Sequence, residues 1–173
     1  MAHNHLHILS SLFEEIMRRY EKDIMRYLLR MLQDRDEAAD VFQETCLRTY
    51  RAYPRLEPKR EIRPWLYTIA ANLCRNRFRD RARRTRVVVP DNEKLPAAET
   101  IGKDHEAKCE NEGYAAVRLR ELISHLPIKQ RQALNLRFFA GLGYGEIAIA
   151  MNCSKDSARA NVSQAVKKIK TKW

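Results

Sequence analysis

Apolar residues recur every three to four positions along most of this chain, a spacing that only an α-helix gathers onto one face. From Leu9 to Leu32 they fall at Leu9, Leu12, Phe13, Ile16, Met17, Tyr20, Ile24, Leu28 and Leu32, which predicts one long helix or two shorter ones jointed near Tyr20. Asp34 then offers an N-cap with Glu37 three residues on, as in a capping box, and a helix follows to about Tyr53. Pro54 to Glu61 has two prolines and five charges and reads as a loop. Pro64 sits in a first helical turn, where the missing N–H costs nothing, and Trp65, Leu66, Ile69, Ala70, Leu73 and Phe78 carry that helix to about Arg84.

The period then stops. Residues 91 to about 109 mix Pro, Gly, Glu, Lys and Asp without pattern and read as a flexible linker. A second periodic block gives helices ending at Leu126-Pro127, from Ile128 to Phe139, from Glu146 to Met151 and from Lys155 to Lys170. Five glycines and six prolines in 173 residues are too few for a turn-rich β architecture. The expectation is an all-α protein of two small helical domains: residues 8–86 and 110–173, joined by a linker at 87–109.

Chemistry is concentrated in three places. The formal charge of +11 calls for a polyanionic partner, and its distribution is uneven. Between Lys59 and Arg86 stand ten basic residues opposed only by Glu61 and Asp80, interleaved with Trp65, Tyr67 and Phe78. Unstacked bases pack on such rings, although Trp65 and Phe78 also fit as core residues. The segment Glu146–Lys170 reads as a helix-turn-helix: Ala148 is small where the second helix must cross, Asn152 suits the left-handed turn, and Ser154 caps the second helix. Ile147, Met151, Cys153, Ala158 and Val162 would form its shared core. The outward face of that second helix carries Lys155, Asp156, Ser157, Arg159, Ala160, Asn161 and Gln164, with base-edge and phosphate-contacting types prominent among them. The helix after Asp34 is instead acidic, with Asp36, Glu37, Asp40 and Glu44, and suits a basic protein surface that DNA would not match.

No catalytic constellation, glycine-rich phosphate loop or metal-spaced Cys/His cluster is present, so neither enzyme activity nor a cofactor is expected. His3, His5 and His7 alternate at a terminus expected to fray, and His105 with Cys109 supplies too few ligands for zinc. Cys46, Cys74, Cys109 and Cys153 form no C-x-x-C pair. With no secretory pattern and no run of about 18 apolar residues, a cytoplasmic chain with reduced thiols and no membrane insertion is expected.

The stretches DEAADVFQETCLRTYRAY and RPWLYTIAANLCRNRFRDRARR resemble the second region of extracytoplasmic-function sigma factors of the sigma-70 class. LISHLPIKQRQALNLRFFAGLGYGEIAIAMNCSKDSARANVSQAVKKIK is similar to their fourth region. D-x-x-Q-E, P-W-L-Y-x-I-A-x-N, L-P-x-x-x-R and Y-x-E-I-A, in that order, carry the resemblance. It implies a non-catalytic subunit that brings core RNA polymerase to promoters. Asp40, Gln43 and Glu44 would meet the clamp helices of the largest polymerase subunit, and the flap would be a further contact. Arg60, Trp65, Asn72, Arg75, Arg77 and Arg79 would serve melting and reading of the −10 element. The helix from Lys155 would enter the major groove of the −35 element, and an anti-sigma factor is an expected regulator. The sequence departs from the family at Asp156-Ser157-Ala158 and Arg159-Ala160-Asn161, where base preference would change while the helix is kept. Two rivals are a helix-turn-helix regulator that never meets polymerase and an RNA-binding adaptor built on the Arg-rich helix.

Overall fold

The computed structural model describes residues 2–55, 61–88 and 113–173, with side chains for 13–55, 61–84 and 113–173. The expected linker therefore lies almost wholly outside the described residues, as do Arg60 and the side chains of His3, His5 and His7. Among the described residues the chain forms seven α-helices and one short 3-10 turn: α1 (Ala2–Leu32), α2 (Arg35–Ala52), α3 (Ile62–Val88), α4 (Tyr114–Ser124), α5 (Ile128–Phe138), α6 (Tyr144–Met151) and α7 (Lys155–Lys172). The first apolar block is a single helix that begins at Ala2 and has no joint at Tyr20. Gln33, at φ 58°, ends it in the left-handed region, and its N–H still donates to the Leu29 carbonyl.

Asp34 caps α2 as expected, accepting from the Glu37 N–H at 2.8 Å. The Glu37 carboxylate reaches across to Arg81 of α3. The pair that looked like a local capping box thus also ties two helices together. Thr45 is buried in the middle of α2 and satisfies its hydroxyl on the Val41 carbonyl. Along the α1–α3 seam Tyr27 and Tyr67 meet edge to face, with centroids 5.5 Å apart. Burial pushes both phenols up, Tyr27 well above the usual tyrosine range. Burial also lifts the Cys74 thiol to about 12, helped by the Glu37 charge, which leaves an inert core thiol.

In the second block α4, α5 and α7 close a small cluster of Ile123, Leu126, Leu134 and Ala165. The α6–α7 pair is the expected helix-turn-helix. Ala158 is fully buried where the helices cross, Asn152 adopts φ 52° and ψ 55°, and Ser154 accepts from the Ser157 N–H at 3.1 Å. The Cys153 N–H returns to the Ala148 carbonyl at 3.0 Å, closing the turn.

The two blocks pack against each other, α6 on α3 and α5 on α1. One apolar core runs from Ile24, Leu28 and Leu66 through Ala133 and Leu136 to Ile147 and Val162. The linker's composition left their arrangement open.

Asn152 bears on stability directly. Asn152→Gly should hold the melting temperature within about 2 °C, since glycine takes the left-handed region freely. Asn152→Val should cost about 1–2 kcal/mol, because a β-branched residue is strained there. Thermal unfolding followed by circular dichroism decides it, and equal melting temperatures for the two variants would refute the strain argument.

Candidate nucleic-acid interface

Because side chains on a helix return every 3.6 residues, the arginine-rich α3 presents different residues to different neighbours. Asn72 and Arg79 point to solvent together with Arg83, and Arg79 donates to the Asn76 amide oxygen at 3.2 Å. This exposed stripe is open to a nucleic acid. Leu73, Asn76, Arg77 and Asp80 face α2 instead and line a groove of about 460 Å³ with Asp40, Gln43, Glu44, Leu47 and Arg48. Arg77 was expected beside Arg75 and Arg79, yet it shares its surroundings with the acidic residues of α2. Trp65 belongs to the core at 9% exposure, so its ring is not offered to a base in this arrangement.

The groove is charged at its walls and apolar at its lip. Asp40 and Gln43 are exposed, Glu44 is paired with Arg48 at 2.6 Å, and Leu47 is half exposed between them. A protein helix carrying both basic and apolar side chains matches that mixture, whereas a phosphate backbone does not.

Arg75 lies on a third face. Its guanidinium donates to the Ala150 carbonyl of α6 at 3.0 Å. Arg63, near the start of α3, donates to the Ala140 carbonyl beyond α5. Gly141 allows that approach: its φ is +65°, and a Cβ there would stand 3.3 Å from the Arg63 guanidinium. From the opposite side, Arg131 of α5 donates to the Met31 carbonyl at 3.2 Å and Gln132 to the Ala71 carbonyl at 3.2 Å. The arginines thus satisfy carbonyls at or just past the ends of α1, α5 and α6, where backbone acceptors are orphaned and the helix dipole is negative. Arg131 is 5% exposed, sits beside the Phe78 ring, and has its pKa lowered by burial and by nearby Arg81.

The sequence reading gave α5 no role. Every residue from Gln130 to Leu136 is buried, four of them polar. A helix closed in on all sides yet polar belongs between two units, and that composition was the available signal.

On α7, Lys155, Asp156, Arg159, Ala160 and Gln164 are exposed, and Ser157 and Asn161 are half-buried. Asn161 donates to the Ser157 carbonyl at 2.8 Å, and Gln164 accepts from Gln130 at 2.8 Å. Lys167, Lys168, Lys170 and Lys172 continue the exposed basic surface. The expected −35 set is brought together on one helix. The expected −10 set is divided among solvent, the α2 groove and the contact with α6.

Known proteins show the same two-part division. Residues 16–84 match the family described as Sigma-70 region 2, and residues 116–169 match Sigma-70, region 4. The RNA polymerase sigma-H factor of Pseudomonas aeruginosa is 32% identical over 161 residues, covering 88% of this chain and 81% of that one. The ECF RNA polymerase sigma factor SigM of Bacillus subtilis is 29% identical over 161 residues, covering 91% and 92%. Among solved structures, the sigma factor RpoE of Bartonella quintana, in complex with the anti-sigma factor NepR, superimposes with a TM-score of 0.70 at 18% identity, over 92% of this chain and 94% of that one. CnrH in complex with the cytosolic domain of CnrY gives 0.65 at 18% identity, over 94% and 87%.

Arg131→Ala should loosen the packing of the two blocks, since it strips the Met31 carbonyl of a donor and opens a void beside Phe78. Small-angle scattering of the free protein should show a larger radius of gyration, while helical content is retained. An unchanged radius would mean that the Arg131 bond is dispensable beside the apolar contacts and the remaining bonds of Arg63, Arg75 and Gln132.

Proposed function

The chain belongs to the sigma-70 family of RNA polymerase sigma factors, within its extracytoplasmic-function group, and from that membership we propose how its surfaces divide the work. A sigma factor is a non-catalytic initiation subunit that binds core polymerase and promoter DNA. The α2–α3 groove, with Asp40, Gln43 and Glu44 on its rim, receives the clamp helices of the largest polymerase subunit. The stripe of Asn72 and Arg79 takes the −10 strand with Arg75; Arg60, outside the described residues, is assigned the same role from the family resemblance alone. Lys155, Arg159 and Gln164 enter the −35 major groove. Work on the chromosome places the protein in the cytoplasm, and among the described residues no helix is long and apolar enough to cross a membrane. Similar folds have been solved with a bound second protein, one of them named an anti-sigma factor. Regulation by such a partner fits this chain as well.

The observation that carries this reading is the pair of nucleic-acid faces on separate helical units, with an acidic groove beside one of them. A regulator that never meets polymerase leaves the groove without a purpose, and an RNA adaptor leaves α7 without one.

The packed arrangement must open for this work. The −10 and −35 elements are about 25 base pairs apart, or roughly 85 Å along B-DNA. A compact chain of this length is about 40 Å across. An extended segment 89–112 reaches about 80 Å, which suffices once the blocks part. Arg75 must then leave the Ala150 carbonyl before it can meet a phosphate.

Run-off transcription with core polymerase on genomic promoter fragments tests the assignment, and discrete transcripts that require the protein are expected. Asp40→Arg combined with Glu44→Arg should abolish holoenzyme assembly in a pull-down while leaving the circular dichroism spectrum unchanged. Normal assembly by that double variant would remove the groove from the polymerase contact.

A further inference from the structure

Arg159 stands on the outward face of α7, and the structure shows what it rests on. Its guanidinium carbon lies 5.4 Å from the centroid of the Tyr144 ring. Tyr144 is the first residue of α6, the other helix of the pair. The same ring lies 4.9 Å from the guanidinium carbon of Arg137 at the end of α5. Arg137 is itself anchored, donating to the Leu142 carbonyl at 3.0 Å. The backbone under the ring is held too: the Gly143 N–H donates to the Glu146 carboxylate, and Tyr144 packs against the main core. A continuous line of contacts thus runs from α5 through one aromatic ring to the exposed face of α7.

An exposed arginine loses considerable rotamer entropy when a single base edge fixes it. A guanidinium resting on an aromatic ring has already lost part of that freedom. A guanidinium held over a ring face can still offer its N–H edge, and that edge is what a bidentate bond to guanine O6 and N7 uses. Tyrosine suits the task because its own side chain has few rotamers and is packed, partly buried, against the core.

We propose that Tyr144 is a positioning residue for −35 recognition: anchored beside Arg137, its ring presets Arg159 for a guanine edge in the major groove. This rests on the reading that α7 enters that groove. Tyr144 acts through Arg159 and need not touch a base. Asn161 and Gln164, engaged with Ser157 and Gln130, are less free to read bases than Arg159, which concentrates selectivity at the position Arg159 meets.

Holoenzyme reconstituted from the full chain and core polymerase would be presented with promoters randomised across the −35 element, and base preference read position by position. Arg159→Ala should flatten preference for guanine at one or two neighbouring positions. Tyr144→Leu should weaken preference at those same positions by about two- to fivefold, the worth of an exposed guanidinium–ring contact. Tyr144→Phe, which keeps the ring, should retain the preference, and Tyr144→Leu added to Arg159→Ala should cost nothing more there. If Arg159→Ala flattens the preference and Tyr144→Leu does not, the positioning role fails while the reading of α7 stands. If Arg159→Ala leaves selection intact, that assignment on α7 falls and the proposal falls with it. A loss spread evenly over all positions in Tyr144→Leu, or a Tyr144→Phe as impaired as Tyr144→Leu, would also overturn it.

Discussion

A guanidinium taken out of water is costly unless it is given partners, and Arg131 meets that demand in part, donating through one terminal nitrogen while its Nε is left without a partner. It is carried by α5 of the second block, yet its acceptor is the last turn of α1 in the first. Arg75 and Arg63 reach the other way, from α3 to carbonyls at and beyond the ends of α6 and α5. Each of these carbonyls lies where the helical ladder leaves an acceptor without an internal donor. The blocks therefore settle where donors of one meet orphan acceptors of the other, and the shared apolar core fills the space between.

The chemistry of that seam fits an association that has to be undone. Hydrogen bonds between side chains and backbone exchange for water at a modest net cost, about 0.5–1.5 kcal/mol for a neutral donor such as Gln132 and about 1.5–3 kcal/mol for a charged one. A seam of large apolar side chains would lose far more on exposure. Gln130, Arg131, Gln132 and Asn135 are all side chains that water can satisfy when α5 is uncovered. Ala133 and Leu136 on the same helix, with Leu142 and Ile147 beyond it, supply the apolar part of the seam, and that part is what opening must expose. A promoter-spanning protein that is also compact when free needs this balance, because the two DNA elements lie farther apart than the packed molecule is wide.

Periodicity made the helices legible, since a repeat of 3.6 has few alternative explanations in a chain so poor in glycine and proline. The helix-turn-helix was legible for the same local reasons: Ala148, Asn152, Ser154 and Ala158 each answer a steric or hydrogen-bonding demand within a few residues. What could not be read was anything that depends on which face meets which. Arg75, Arg77 and Arg79 are indistinguishable as letters, yet they point to α6, to the α2 groove and to solvent. Trp65 fits a base platform or a core with equal ease until the packing of α1 and α3 is known. Gly141 looked like one member of a glycine-rich turn; its left-handed φ is a local helix-end feature, whereas its closeness to Arg63 comes only from packing 78 residues away in the chain. Arg131 stood in a recognised motif, but no local rule reveals that its partner is Met31.

Counting positive charges on α3 thus overstates what it offers to DNA. An α-helix presents several faces, and here one belongs to the core with α1, one to the groove with α2, one to the second block and one to solvent. Among the described residues of α3, the solvent stripe with Asn72, Arg79 and Arg83 is what stays available in the packed state. Separation of the blocks would add Arg75, and a partner in the α2 groove would leave that stripe untouched. On the proposed reading, polymerase docking and −10 contact can proceed together because they use different sides of one helix. On the same reading, packing against α6 competes with DNA for Arg75, which donates to the Ala150 carbonyl in the packed state. The affinity of the first block for DNA would in this way be coupled to the position of the second, through a side chain that can satisfy only one acceptor at a time.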